Sequence, residues 1–190
     1  MTNLRRHSDT SRAGELFDEL LVVMAQRGDR RALERLYHRW APRLLCAARR
    51  YCGDDDAAGD LAQECWIGIW KGIQKSGGTL RDPSRFRSYA FSILHRRGAD
   101  HLRKAIRQRD TEEEQPAPVS SYAARQSDSA AISQAFAALP QDQRLAAHLH
   151  FVEGLTLAEI AEVQSVPEGT AKSRLFHARR KLKAALAPAI

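Results

Sequence analysis

The sequence has few cysteines, few aromatic residues and no long apolar run, and each shortage removes a class of protein. Three cysteines in 190 residues, Cys46, Cys52 and Cys65, make no disulfide framework, and their spacing fits no zinc pattern. They read as small buried hydrophobes on helices. The seven histidines are scattered. His148 and His150 would point to different sides of a helix, so neither a metal site nor a cofactor is expected. The apolar stretch Leu20 to Ala25 falls far short of the ~20 residues that cross a bilayer. It also lacks a signal-cleavage pattern. The expectation is a cytoplasmic protein without direct membrane insertion. No glycine-rich phosphate loop, nucleophile elbow or zinc-protease pattern occurs, and Gly77-Gly78 is an isolated pair. With no convergent acid, base or nucleophile, the chain is not expected to be an enzyme. Alternating β-branched runs, the mark of strands, are missing too.

What remains is helix signal and positive charge. Thirty Lys and Arg against 23 Asp and Glu leave a net charge of +7, which favours a polyanionic partner. The expected fold class is all-α: two small helical domains joined by a flexible linker. Residues 1–13 are polar and read as a disordered tail. Residues 14–110 form the first domain. Its helices run from Gly14 to Arg27, from the cap Asp29 through Trp40 and Pro42 to Gly53, from the acidic cap Asp54-Asp55-Asp56 to Gly77-Gly78, and from Pro83 to Arg109. Pro42 should kink the second helix or mark a new start. Residues 111–130, with Glu112-Glu113-Glu114 and Pro116-Ala-Pro118, read as the linker. Residues 131–190 form the second domain, in which Pro140 starts a helix.

The strongest local signal is Leu155 to Arg174. Thr156 and Glu159 form a capping box, and Leu157, Ile160, Ala161 and Val163 give the helix an apolar side. Gln164 and Ser165 interrupt it, and Pro167 suits the first turn of a second helix. That second helix carries Thr170, Lys172, Ser173, Arg174 and His177 outward, the layout of a helix-turn-helix that reads the major groove. Arg179, Arg180, Lys181 and Lys183 follow, placed for phosphates or for the helix dipole.

Two other helices carry chemistry. On a wheel, Leu61, Ala62, Cys65, Trp66, Ile69 and Ile73 fall on one core face of the third helix. The opposite side mixes Asp60, Gln63, Glu64 and Lys71 with Ile67 and Trp70. Those two large groups mark either a protein-binding surface or a face covered by another helix of the same domain. Between Arg81 and Asp110 there are nine Lys or Arg and three Asp, interleaved with Phe86, Tyr89, Ile93 and Leu102. Such a face can contact phosphates and stack on unpaired bases, or be a solvated face of a core helix.

Together these stretches resemble a bacterial extracytoplasmic-function sigma factor of the sigma-70 family, over about residues 15 to 187. Asp60-Leu-Ala-Gln-Glu-Cys-Trp-Ile-Gly-Ile-Trp70 is similar to the family's core-polymerase-binding helix. Phe86 to Arg103 resembles its promoter-melting and −10-reading segment. Ala138 to Arg144, Glu153-Gly154, Glu159-Ile-Ala161 and Gly169 to Arg174 resemble its −35-reading domain. The resemblance implies that Asp60, Gln63, Glu64, Ile67 and Trp70 contact the β′ clamp helices of core RNA polymerase, with the β flap a further contact. It implies that Arg87, Tyr89, Arg96, Arg97, Asp100, Arg103, Lys104 and Arg107 serve the −10 element. Glu168, Gly169, Thr170, Lys172, Ser173, Arg174, His177, Arg179 and Arg180 would serve the −35 element. The linker would thread the polymerase channel, its acidic run mimicking nucleic acid. Promoter DNA and an anti-sigma factor are the other implied partners.

Some residues depart from the family pattern. Arg96 stands where Asn is usual, Tyr89 replaces Trp, and Gly98 falls inside a helix. Ser165 replaces the turn Gly, a change costing ~1 kcal/mol if φ is positive there. Ala171 replaces Val. The rival to a polymerase subunit is a helix-turn-helix repressor or activator, acting as a dimer and binding duplex DNA alone.

Overall fold

The computed structural model describes residues 3–52, 54–74, 79–111 and 127–187. All regular structure among them is helical: α1 (Asn3–Gln26), α2 (Arg30–Ala48), α3 (Asp55–Gln74), a 3-10 turn (Pro83–Arg85), α4 (Phe86–Thr111), α5 (Ser127–Ala137), α6 (Gln141–Phe151), α7 (Leu157–Gln164) and α8 (Glu168–Leu186). None of these helices is long and apolar enough to cross a membrane.

Local chemistry sets the boundaries. Gly28, at φ +92°, ends α1 in the left-handed region, and the Asp29 carboxylate accepts from the N–H groups of Arg31 and Ala32 to start α2. Asp54 accepts from Ala57 N–H at the start of α3, the capping role expected for the acidic run. Asp82 does the same for Ser84 ahead of α4.

Several features differ from the sequence expectation, among them the end of α2, at Ala48 rather than Gly53. Helix α1 begins at Asn3 rather than Gly14, because extending an existing helix gains one hydrogen bond per residue fixed, whereas nucleating one is costly. Helix α2 passes through Pro42: one lost backbone bond is outweighed by Leu36, Trp40 and Leu44, buried on both sides of it. Helix α5 begins at Ser127, inside the stretch read as linker. Pro167 sits at the N-cap, one residue before the first turn of α8. The acidic run Glu112-Glu113-Glu114 lies outside the described residues.

The N-terminal half packs α1, α2, α3 and α4 around three rings. Trp40 meets Phe86 edge-on at 4.8 Å between centroids and Phe91 at 5.7 Å. Gly98 sits mid-helix because the Tyr51 ring fills its side-chain space: a Cβ there would stand 2.5 Å from the ring. The C-terminal half has a small cluster of its own, Ala135, Phe136, Leu139, Ala147, Ala178 and Leu182. Its other buried apolar residues, among them Leu145, Leu149, Leu155, Ile160 and Val163, belong to the same continuous cluster as Trp40 and Phe91. Helix α7 lies against α4, so the two halves meet through a shared core.

Candidate nucleic-acid and protein interfaces

The helix-turn-helix forms as its residues dictate. Thr156 Oγ1 accepts from Glu159 N–H, and the Glu159 carboxylate accepts from Thr156 N–H at 2.8 Å, completing the capping box. Burial works to raise the Glu159 pKa, but the Thr156 hydrogen bonds and Arg87 outweigh it and hold the carboxyl below its ordinary value. Ser165 ends α7 at φ 52°, ψ 46°, the left-handed conformation for which glycine is the usual choice. Ala171, Ala178 and Leu182 bury the inner side of α8.

On α8, Glu168, Gly169, Thr170, Lys172, Ser173, Arg179 and Arg180 are exposed, and His177 is half-buried. Arg174 is not free. It donates to Gln164 Oε1 at 3.0 Å and to Asp142 Oδ2 at 2.8 Å, which fixes the guanidinium against α6 and α7. Phe176, not singled out by the sequence, is 62% exposed on the same helix. A wheel drawn from Ala171 and Ala178 would have turned it outward.

On α3 the wheel separates the faces as drawn for Leu61, Cys65, Ile69 and Ile73, which are buried. Asp60, Gln63 and Glu64 are exposed, and Ile67 and Trp70 are 39% and 41% exposed. Among the described residues, no helix closes over either one fully. Trp66, assigned to the core, is only half-buried and leans edge-on against the exposed Tyr37 of α2 at 5.2 Å. Tyr37, Trp66 and Trp70 line one groove between α2 and α3. Tyr37 was missed because its partner lies on another helix.

Helix α4 distributes its bases unevenly. Arg96, Lys104 and Arg107 are exposed. Arg97 donates to Glu64 at 3.2 Å, joining two of the sets read from the sequence. Arg103 pairs with Asp100 one turn away at 2.6 Å. The Tyr89 hydroxyl shares a 2.7 Å hydrogen bond with Thr79, and Gly72 leaves room for that hydroxyl. Tyr89, Ser88, Ser92 and Arg96 line a cleft together with residues of the segment Thr79–Arg85 and Glu162 of α7. Arg87, only 16% exposed, meets Glu15 at 2.7 Å, Glu159 at 3.5 Å and the Glu153 carbonyl at 3.1 Å.

Two of the three thiols are quiet. Burial, with Asp54 adding to it, pushes Cys52 up to about 11, and burial pushes Cys65 up to about 12. Both stay protonated at neutral pH and are weak nucleophiles. Among the described residues, no three His, Cys, Asp or Glu converge as metal ligands.

Known proteins share this arrangement. Residues 36–109 match the family profile Sigma-70 region 2, and residues 129–182 match Sigma-70, region 4. The RNA polymerase sigma-H factor of Pseudomonas aeruginosa is 30% identical over 186 residues, covering 90% of this chain and 94% of that protein. The ECF RNA polymerase sigma factor SigM of Mycobacterium tuberculosis is 29% identical, covering 88% and 84%. The fold is also that of CnrH, solved in complex with the cytosolic domain of CnrY (TM-score 0.63, 23% identity, 92% of this chain and 99% of that one). RpoE of Bartonella quintana, solved with the anti-sigma factor NepR, gives a TM-score of 0.64 at 22% identity, over 83% of this chain and 98% of that one. The chain belongs to the sigma-70 family of RNA polymerase sigma factors, in its extracytoplasmic-function class.

Proposed function

We propose that this sigma factor lends core RNA polymerase its promoter specificity through three surfaces. The carrying observation is that one chain pairs a helix-turn-helix whose basic second helix faces solvent with a separate exposed apolar and acidic face on α3. A repressor would account for the first and would need the second as a dimer interface. The order of the two matched regions favours the polymerase subunit.

Helix α8 enters the major groove at the −35 element. Lys172 and Ser173 reach base edges or phosphates, and Arg179 and Arg180 meet flanking phosphates. The exposed Phe176 ring suits an apolar contact such as a thymine methyl. Arg174, held by Asp142 and Gln164, positions the helix rather than reading a base. The cleft of Ser88, Tyr89, Ser92 and Arg96 receives an unstacked base of the −10 strand, and Arg103, Lys104 and Arg107 meet its phosphates. Asp60, Gln63, Glu64, Ile67 and Trp70, with Tyr37 and Trp66 beside them, contact the β′ clamp helices; the helix-turn-helix half meets the β flap. An inhibitory protein of the anti-sigma type is a further partner, supported by the solved complexes of two fold relatives. Sigma factors are initiation factors, and the chemistry of RNA synthesis stays with the polymerase.

The test is reconstitution with sigma-free core polymerase on fragmented host DNA, followed by sequencing of the run-off transcripts. Transcripts that share one bipartite upstream motif, and vanish without the protein, are the expected result. Tight binding to duplex DNA alone, without polymerase binding, would favour the repressor. Replacing Ile67 and Trp70 together by Ala should abolish polymerase binding while leaving helicity unchanged.

A further inference from the structure

Among the described residues, seven buried side-chain polar atoms lack a hydrogen-bond partner, and five of them sit on one arginine and one helix. They are Arg50 Nε, just past α2, and Gln143 Oε1, Arg144 Nε, His148 Nδ1 and His148 Nε2 on α6. Buried polar groups are nearly always satisfied, so a cluster of exceptions marks either solvent or a ligand. Charge decides between the two. Three arginines bury an unpartnered Nε. Arg97 is neutralised by Glu64. Arg50 and Arg144 make no ion pair with any described residue.

The two guanidinium groups meet at one turn. Arg50 lies over the Phe136 ring, 5.6 Å from its centroid. Arg144 donates to the carbonyls of Ala137 and Leu139, at 2.9 and 3.0 Å, in the turn that follows Phe136. Each arginine is half-buried. Burial, then the Arg50 charge, hold Arg144 below its ordinary pKa, so the like charges feel each other. His148 stands one turn beyond Arg144 on the same side of α6 and is fully buried. Burial, then the charges of Arg50 and Arg43, lower its pKa. The acids nearby are engaged elsewhere. Glu153, 3.6 Å from His148, accepts two hydrogen bonds from Arg43 of α2, at 2.6 and 2.9 Å. Asp142, the one acid of α6, accepts from Arg174 at 2.8 Å.

We propose that the turn between α5 and α6 is a phosphate site, in which the Arg50 and Arg144 guanidinium groups grip one free inorganic phosphate or small phosphate monoester. Water can satisfy the orphaned N–H groups but cannot balance two positive charges in a half-buried place. Planar guanidinium forks match the oxygens of a phosphate, and a phosphate dianion carries the matching charge. A nucleic-acid backbone offers the same oxygens, but with one charge per phosphate along a wide rod, which suits an exposed face better than this pair. The site is independent of the sigma-factor function and uses none of the residues assigned above to DNA or polymerase.

Isothermal titration of the full-length free protein with inorganic phosphate tests this, at about pH 8, where the dianion prevails, and at constant ionic strength set with chloride. The wild type should bind one phosphate per chain. Arg50→Gln should weaken binding about 10-fold or more, the loss expected for charge-assisted hydrogen bonds. The Arg50 side chain makes no hydrogen bond to any described residue, so this variant should keep its helicity by circular dichroism. Arg144→Gln, which also gives up two carbonyl contacts, is the second variant. Arg35→Gln, at an exposed position of α2, removes the same charge and should bind as the wild type does. Proton–carbon NMR then locates the anion: phosphate should move the His148 ring resonances and leave those of His38, exposed on α2, in place. A random-sequence duplex DNA 20-mer in excess should not reverse the His148 shift; reversal would hand the site to a nucleic-acid backbone and overturn the free-anion assignment. No binding by the wild type, equal binding by folded Arg50→Gln, or an unmoved His148 would overturn the site itself. Polymerase and promoter are absent, so a failed site leaves the sigma-factor function standing, and failed reconstitution leaves the site standing.

Discussion

The two halves bury their apolar groups differently. The N-terminal half closes around Trp40, Phe86 and Phe91, with Leu21, Leu36, Leu44, Ile69 and Leu94 filling the space between helices. The C-terminal half keeps only Ala135, Phe136, Leu139, Ala147, Ala178 and Leu182 as its own cluster, and contributes the rest of its apolar surface to the larger core. Small domains bury a small share of their surface and are marginal by themselves. The comparison teaches that the DNA-reading half is the weaker partner, steadied by the other half while the chain is free.

The sharpest way to break that comparison is Trp40→Ala. Removing a ring that packs on two others should cost about 3–5 kcal/mol in urea unfolding. Because both halves share the core, helicity should be lost in one transition; two well-separated transitions would show that the C-terminal half stands alone.

Acid should come next. His148 is fully buried in the C-terminal half, and burial, then Arg50 and Arg43, lower its pKa from 6.5 to about 4. Its 3.6 Å approach to Glu153 is therefore not an ion pair at neutral pH. Between pH 6.5 and 4 the unfolded chain takes up the proton and the folded chain does not. This contribution to stability is complete above 6.5 and is lost as pH falls toward 4, by up to about 3 kcal/mol and by about 2 kcal/mol at pH 5. Urea unfolding at pH 7 and pH 5 should show His148→Leu losing about 2 kcal/mol less than the wild type over that interval. Equal losses would remove His148 as the cause.

Two smaller tests probe one backbone position in each half. Gly98→Ala should lower stability by about 1–3 kcal/mol, since the Tyr51 ring must move, even though alanine favours helix by ~1 kcal/mol. A raised melting temperature would mean the ring yields freely. Ser165→Gly should gain about 1 kcal/mol by relieving the positive φ, visible as a higher melting temperature; no gain would mean the turn carries no strain.

Legibility followed the range of the interaction. The capping box, the Asp29 cap and the buried face of α3 were readable because each is decided within a turn or two of helix. Ser165 was readable as a departure from glycine, and the left-handed φ supplies the reason it matters. Gly98 was readable only as an anomaly; its cause, the Tyr51 ring, lies 44 residues from His95, the α4 residue Tyr51 also bonds. Arg174 and Arg87 looked like free cations because their carboxylate partners, Asp142 and Glu15, lie 32 and 72 residues away. Sequence spacing identifies which face a base occupies, but not whether an acid from another helix already holds it. The seam between the halves was invisible for the same reason: one of its pairs, Arg43–Glu153, spans 110 residues.

Helix α1 changes how this protein should be cut into pieces. The family profile for the first half begins at residue 36, in the middle of α2. A fragment started there would discard Leu21, Val22 and Ala25 from the core and, with Asp18, the carboxylate that holds Arg39 at 2.6 Å. It would also leave Arg87 without Glu15. The recurrent unit and the folding unit therefore have different starts, and an expression fragment of the first half should keep α1 whole to remain a folded domain.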